Sequence, residues 1–83
     1  MQIIVTPKAT KDYKLLPKTE QTKIKRKLEI LEENPYIGKK LSAEFSESRV
    51  LRAWPYRIIY YIDNKRGKIF IVNIHHRQGA YKN

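Results

Sequence analysis

The sequence has 83 residues, with 18 lysines and arginines against 8 aspartates and glutamates, which gives a formal net charge of +10. A chain of this length supports one small hydrophobic core, so we expect one domain over residues 1–83 and exclude a multidomain enzyme. Hydrophobic residues make up 41% and charged residues 31%, a balance typical of a globular protein. Cysteine is absent, which excludes a disulfide framework and a thiolate metal site.

The positive charge favours an anionic partner, which means nucleic acid, an acidic protein or an anionic membrane. The apolar run in MQIIVTPKATKDYK stops at Thr6 and Pro7, far short of a signal-peptide core or a membrane span. We therefore expect a cytoplasmic protein with no membrane partner. A lysine-rich, solvated surface without a specific partner is the alternative that charge alone leaves open.

The hydrophobic pattern of the first half predicts one strand and two helices. Residues 3–5 predict a short strand that ends at Pro7, because proline lacks the N–H that a strand ladder requires. A short helix is expected over residues 11–16 and a longer one over residues 17–34, with a break near Leu16. In the longer helix the apolar residues follow i, i+4, i+7 spacing, which places on one face Ile24, Leu28 and Leu31.

The second half predicts three strands, over residues 50–52, 56–63 and 69–76, and the segment DNKRGK predicts a hairpin turn between the last two. Successive side chains of a strand point to opposite faces. In the middle strand one face therefore carries Tyr56, Ile58, Tyr60 and Ile62, and the other Arg57, Ile59, Tyr61 and Asp63. One face can cover the helices while the other forms a concave aromatic and basic surface. The sequence predicts an α+β fold, in which an N-terminal strand and a two-helix hairpin precede a three-strand antiparallel meander, with the helices on one face of the sheet.

The acidic residues argue against a metal-dependent nuclease, because metal-assisted phosphoryl chemistry needs clustered carboxylates. His75 and His76 are adjacent and point to opposite faces of a strand, so they do not readily chelate one ion together. One of them could act as a general acid or base, since imidazole titrates near neutral pH; a structural role is the alternative. We expect no metal and no cofactor.

The remaining chemistry lies in a C-terminal collection of cations and aromatic residues: Arg49, Arg52, Trp54, Tyr56, Arg57, Tyr60, Tyr61, His76, Arg77 and Tyr81. Guanidinium groups bind phosphates through paired N–H donors and aromatic rings stack on unpaired bases, so this mixture favours RNA. The alternative places the aromatic rings in the core and the arginines at its rim. It explains Tyr60 well and Arg57 poorly, because an unpaired charge within an apolar strand is costly.

These motifs, in this order, resemble the RelE/ParE superfamily of bacterial and archaeal toxins from type II toxin–antitoxin modules. The stretch LRAWPYRIIYYID resembles the family's strand motif through Arg52 and Arg57. The ending NIHHRQGAYK resembles its closing motif through His76, Arg77 and Tyr81. The segments IVTPKATKDYKLLPK and KLEILEENPYIGKKL resemble its helical hairpin and the loop that follows. The resemblance implies a compact RelE-like fold.

The resemblance implies one of two activities. RelE-like members cut messenger RNA, mostly in the ribosomal decoding site, whereas ParE-like members poison DNA gyrase and generally lack the catalytic side chains. Because Arg57, Arg77 and Tyr81 match positions used by the RNA-cleaving branch, we favour an endoribonuclease, or mRNA interferase. Such a toxin cleaves by metal-independent attack of the 2′-hydroxyl and inhibits translation and growth. A gyrase inhibitor without nuclease activity is the alternative.

The same resemblance implies roles for individual residues. Arg57 and Arg77 would stabilise charge on the phosphoryl oxygens, while Tyr81 would orient the scissile nucleotide or move a proton. His76 would serve as general acid or base. The residues expected to bind RNA are Arg49, Arg52, Trp54 and Tyr61.

The family also implies partners. A small, acidic antitoxin would hold the toxin inactive, and the charge of +10 suits such a partner because opposite charges speed association. Messenger RNA and the ribosome would be the targets, or DNA gyrase in the alternative. Operator DNA would be bound only through the toxin–antitoxin complex.

Overall fold

The computed structural model describes residues 1–41 and 48–77, and within them an α+β arrangement confirms the predicted fold class. The elements are β1 (Gln2–Val5), α1 (Pro7–Lys14), α2 (Lys18–Glu33), β2 (Lys39–Lys40), β3 (Ser48–Ala53), β4 (Tyr56–Asp63) and β5 (Lys68–His76). One sheet has the strand order β1-β5-β4-β3-β2, in which β1 is parallel to β5 and the other neighbours are antiparallel. No helix of the described part is long and apolar enough to cross a membrane.

The longer helix agrees with its prediction, but the shorter one does not. It begins at Pro7 rather than at residue 11 and ends at Lys14. The start was predicted wrongly because Thr6 caps the helix, its side-chain oxygen accepting a hydrogen bond from the Ala9 N–H at 3.3 Å. Pro7 then takes the first helical position, where its missing N–H has no helical partner to lose.

The hydrophobic core lies between the helices and one face of the sheet. The helices contribute Ala9, Ile24 and Leu31, each fully buried. From β4 the core receives Tyr56, Ile58, Tyr60 and Ile62, the set predicted to share one face. The neighbouring strands add Ala53 of β3 and Ile69, Ile71 and Ile74 of β5. This packing commits one face of β4 to the core, so the intervening side chains point away from the helices.

The strand β5 contains a bulge at Val72. Ile59 pairs with Asn73 while its neighbour Tyr60 pairs with Ile71, so one residue of β5 has no partner on β4. The outer edge of the bulge is bonded to Thr6, which caps α1, and to Asp12 in the last turn of α1. The Thr6 hydroxyl donates to the Ile71 carbonyl at 2.7 Å, and the Ile74 N–H donates to the Asp12 carboxylate at 3.0 Å.

The bulge changes which side chains of β5 share a face. Ile71 and Ile74 are both buried although they are three residues apart, which regular alternation does not allow. Beyond Val72, the odd-numbered residues therefore lie on the face opposite the helices. The strand β3 is longer than the predicted 50–52, and the sequence did not predict β2 or the parallel pairing of β1.

Candidate nucleic-acid interface

Three cationic or titratable side chains lie in one row across the three central strands. Arg52 of β3 is directly opposite Arg57 of β4, and Arg57 is directly opposite His75 of β5. Directly opposite residues of antiparallel strands point to the same side, which here is the side away from the helices. Arg77 follows His75 by two residues and continues this side. We call the surface that carries Arg52, Arg57, His75 and Arg77 the basic face.

Two shallow cavities meet on the basic face. The first, of about 250 Å³, is lined by Arg52, Trp54, Pro55, Tyr56, Arg57 and Arg77. The second, of about 280 Å³, is lined by Lys39, Lys40, Leu41, Val50, Arg52, Arg57 and Ile59. Arg52 and Arg57 border both cavities, so the two form one continuous basic strip. Of the described residues that line this strip, none carries a carboxylate.

The turn between β3 and β4 presents an aromatic ring at the end of this strip. The Trp54 side of the turn is held by the Lys23 ammonium, which donates to the Trp54 carbonyl at 2.8 Å. On the other side the Arg77 N–H donates to the Pro55 carbonyl at 2.7 Å. The Arg77 guanidinium lies 4.8 Å from the centroid of the indole, a cation–π contact. Trp54 is nevertheless 65% exposed, so the ring is available for stacking.

Arg49, predicted to bind RNA, lies on the helix-covered side of the sheet. It pairs with Tyr60 in the register, and its guanidinium donates to the Gly38 carbonyl at 2.7 Å. The same group lies 5.1 Å from the centroid of the Tyr36 ring. These contacts tie β3 to the segment that precedes β2. Arg49 is therefore not brought together with Arg52 and Arg57, and its role in RNA binding stays a prediction.

A buried tyrosine fixes the segment that delivers Lys39 and Lys40 to the second cavity. The Tyr60 hydroxyl donates to the Pro35 carbonyl at 2.8 Å and accepts from the Gly38 N–H at 2.9 Å. Burial raises the pKa of Tyr60 above 10.0, although the Gly38 bond and nearby Arg49 oppose this. A Cβ at Gly38 would lie 2.8 Å from the Val50 carbonyl oxygen and closer still to the Tyr60 hydroxyl, so only glycine fits without movement.

Tyr61, also predicted to bind RNA, lies on the same side of the sheet as Arg57 but nearer the β4–β5 turn. Its ring centroid is 6.5 Å from that of Phe70. It borders a different cavity, of about 450 Å³, which Asp63 and Arg66 also line. Tyr61 is therefore separated from the strip that contains Trp54 and Arg77, and its role stays a prediction.

The two histidines lie on opposite sides of β5, as predicted, but His76 is not on the basic face. It pairs with the core residue Tyr56, and the two rings meet edge to face with centroids 5.3 Å apart. His75 instead faces Arg57; the residues alone had left either histidine as a candidate acid or base, and only the family resemblance had favoured His76. Tyr81 lies outside the described residues, and its proposed role stays a prediction. Within residues 1–41 and 48–77, no group of three potential ligands could hold a metal ion.

Comparison with known proteins assigns the chain to a family. Residues 3–81 match the family described as "ParE toxin of type II toxin-antitoxin system, parDE". Comparison with the curated proteins gives no match. Among solved structures, the chain is similar to one in the toxin–antitoxin complex RelBE2 from Mycobacterium tuberculosis. The identity is 26%, the TM-score 0.81, and the match covers 92% of this chain and 96% of that one.

Two further structures share the fold at lower identity. The isolated RelE toxin of E. coli is 22% identical with a TM-score of 0.78, over 90% of this chain and 82% of that one. The YoeB/ParE toxin from Agrobacterium tumefaciens is 14% identical with a TM-score of 0.78, over 92% of this chain and 98% of that one. The predicted membership of the RelE/ParE superfamily is thus confirmed. With residues 3–81 matched, the chain belongs to the ParE toxin family of type II toxin–antitoxin systems.

Proposed function

We propose that this toxin is an endoribonuclease that cuts messenger RNA on the ribosome without a metal ion, and so inhibits translation and growth. The observation that carries the proposal is the direct opposition of Arg52 and Arg57 on the basic face. Like charges directly opposite each other on a sheet repel and destabilise it. A phosphate group bound between the two guanidinium groups would relieve that repulsion, so the arrangement suits an anionic ligand.

The chemistry proposed for the basic face is an internal transfer of the phosphoryl group. The RNA 2′-oxygen forms a bond to the adjacent phosphorus while the bond from phosphorus to the 5′-oxygen breaks, leaving a 2′,3′-cyclic phosphate. Negative charge grows on the nonbridging oxygens as the new bond forms. Arg57 and Arg77 border the same cavity, which supports our proposal that both donate hydrogen bonds to these oxygens. Well-placed donors of this kind are commonly worth about 10²- to 10³-fold in rate.

The rest of the strip suits a single-stranded substrate. Trp54 is exposed beside the first cavity, where its indole can stack on an unpaired base. Lys39 and Lys40 border the second cavity and supply point charges for neighbouring phosphates. The RNA backbone would therefore run from the Trp54 turn, across Arg57 and Arg52, to the lysines of β2.

A small acidic antitoxin is the proposed regulatory partner. The similar structure from Mycobacterium tuberculosis is a toxin–antitoxin complex, and the family is defined by such systems. The net charge of +10 would speed encounter with an acidic chain, and contacts of that chain with the basic strip would exclude RNA. Binding of operator DNA is proposed for the complex and not for the toxin alone.

The proposal is tested in a cell-free translation reaction on a defined messenger RNA, with new ends mapped by primer extension. The wild-type toxin should produce discrete cuts only when ribosomes are present, and Arg77→Ala should abolish them. Intact message and normal translation with the folded wild-type protein would refute the proposal.

Inhibition of DNA gyrase is the second candidate, because the matched family is described as the ParE toxin. It predicts that the purified protein blocks gyrase supercoiling while messenger RNA stays intact in the translation reaction. Arg77→Ala should then matter less for toxicity than it does for a nuclease. Running both reactions on the same protein preparation distinguishes the two functions.

A further inference from the structure

We propose that His75 is the general base that takes the proton from the attacking 2′-hydroxyl, an inference that rests on the proposed RNA cleavage. The sequence left either histidine as a candidate acid or base, and the family resemblance implied His76. The structure separates the two residues by face, and only His75 shares the face of the arginines. The register and the bulge of β5 therefore carry this assignment.

The cross-strand register places His75 next to Arg57, on the side of Arg57 away from Arg52. His75 and Arg57 are directly opposite each other. Side chains in such pairs have Cβ atoms about 4.5–5.5 Å apart, which brings an imidazole within reach of a nucleotide held by the guanidinium. Both side chains are half-buried, so they are held near the sheet and still reach solvent.

The bulge at Val72 determines this orientation. In an unbroken strand that starts from buried Ile69 and Ile71, His75 would face the core and His76 would face Arg57. The extra residue reverses the alternation from Asn73 onward. The bulge is fixed from α1 by the hydrogen bonds of Thr6 and Asp12 to the edge of β5, so the orientation of His75 is set by tertiary contacts.

Among the described residues, charged groups lie near His75 on three neighbouring elements. Arg57 faces it from β4 and Arg52 lies one strand further on the same row. Arg77 follows directly after the end of β5. From α1, the Asp12 carboxylate bonds the N–H of neighbouring Ile74 and pairs with the Lys8 ammonium at 2.6 Å.

In the proposed step, the imidazole nitrogen of His75 accepts the 2′-hydroxyl proton as the 2′-oxygen bonds to phosphorus. The bond between phosphorus and the 5′-oxygen breaks, and that oxygen takes a proton from water. Imidazole suits this task because histidine is the side chain that most often serves as a general base. Cleavage should slow in acid, because a general base acts only in its unprotonated form.

The test compares single-turnover cleavage of ribosome-bound messenger RNA by wild type, His75→Gln and His76→Gln, from about pH 5 to about pH 8. His75→Gln should slow cleavage by about 10²- to 10⁴-fold and remove the acid limb of the pH profile. Added imidazole should restore part of the lost rate in a His75→Gly variant. His76→Gln should keep the acid limb, because its ring packs on Tyr56 away from Arg57.

Folding and RNA binding are measured on every variant, so that a structural defect is recognised. Binding of 2′-O-methyl RNA, which lacks the nucleophile, should be unchanged in His75→Gln; if that variant does not fold, His75→Asn and imidazole rescue take its place. A wild type that cuts RNA while folded His75 variants cut equally fast would overturn this inference alone. Loss of the acid limb in His76→Gln would also overturn it. A wild type that cuts no RNA would refute the proposed function and this inference together.

Discussion

Adjacent residues of β4 show how differently the two faces of the sheet are used. Ile58 is fully buried against the helices, whereas Arg57 points to the opposite side and borders two basic cavities. On the helix side the side chains maximise buried apolar area. On the basic face, cations stand in register at some cost in repulsion. The comparison suggests that stability and ligand binding are divided between the faces of one strand, and can be changed separately.

The core side is tested by Ile58→Ala. Removing a fully buried isoleucine should lower the free energy of unfolding by about 2–5 kcal/mol, from lost apolar burial and the cavity left behind. Denaturant unfolding monitored by circular dichroism measures the change. Under conditions where the variant stays folded, its RNA binding should match wild type. A variant that kept full stability would contradict the division between faces.

The basic side is tested by Arg57→Ala, the neighbouring position. Loss of a donor to the phosphoryl oxygens should reduce cleavage by about 10²- to 10³-fold. The free energy of unfolding should change little, because the substitution also removes the repulsion with Arg52. Lys65→Ala, in the distant β4–β5 turn, is the matched control and should cut at the wild-type rate. Strong destabilisation by Arg57→Ala would show that this arginine is structural.

Tyr60, a core residue of β4, also holds the segment that leads to the lysines of the basic strip, and Tyr60→Phe tests this connection. The substitution leaves the Gly38 N–H and the Pro35 carbonyl without their partner, which should cost about 1–3 kcal/mol. Because burial raises the pKa of Tyr60 above 10.0, the unfolded chain loses this proton first as pH rises. The contribution of protonated Tyr60 to the free energy of unfolding is complete below the pKa of the unfolded chain, and it is lost as pH rises toward the pKa of the folded protein. Tyr60→Phe should therefore weaken the alkaline loss of stability, measured by unfolding at a series of pH values.

The smallest expected effect concerns the end of the basic strip. Lys39→Gln should weaken binding of single-stranded RNA modestly. The negative slope of log affinity against log salt should become shallower by about 0.7, the value for one phosphate contact. Fluorescence anisotropy over a salt series measures the slope. Lys8→Gln, on α1, is the charge-matched control and should leave the slope unchanged. Equal effects of both substitutions would indicate binding by net charge alone.

Much of the fold could be predicted because local patterns determine it. Alternation in residues 56–63 correctly separated the core residues of β4 from Arg57, and the apolar spacing of α2 predicted its buried positions. The start of α1 was missed although Thr6 and Pro7 form a recognisable cap. The parallel pairing of β1 and the two-residue strand β2 depend on contacts distant in sequence, which no local pattern encodes.

The candidate site was predicted less completely than the fold, because the face on which a side chain lies depends on strand register and on contacts distant in sequence. One cavity is bordered by residues of two separate motifs, the strand motif and the closing motif: Arg52, Trp54, Arg57 and Arg77. The orientation of the histidines, however, depends on a bulge whose hydrogen bonds come from residues more than sixty positions away. Arg49 and Arg52 are both arginines of β3 but lie on opposite faces, because side chains alternate along a strand and these two are three positions apart.

The most direct test of the division between faces is a titration of isotope-labelled protein with 2′-O-methyl single-stranded RNA, followed by backbone and side-chain NMR. We predict that the largest chemical-shift changes fall on Arg52, Arg57 and His75 of the basic face and on Trp54 in the adjoining turn. The signals of the α2 core residues should stay unperturbed: Ile24, Leu28 and Leu31. The account would be contradicted if the largest chemical-shift changes fell on α1 and α2, or if a saturating RNA concentration caused no chemical-shift change.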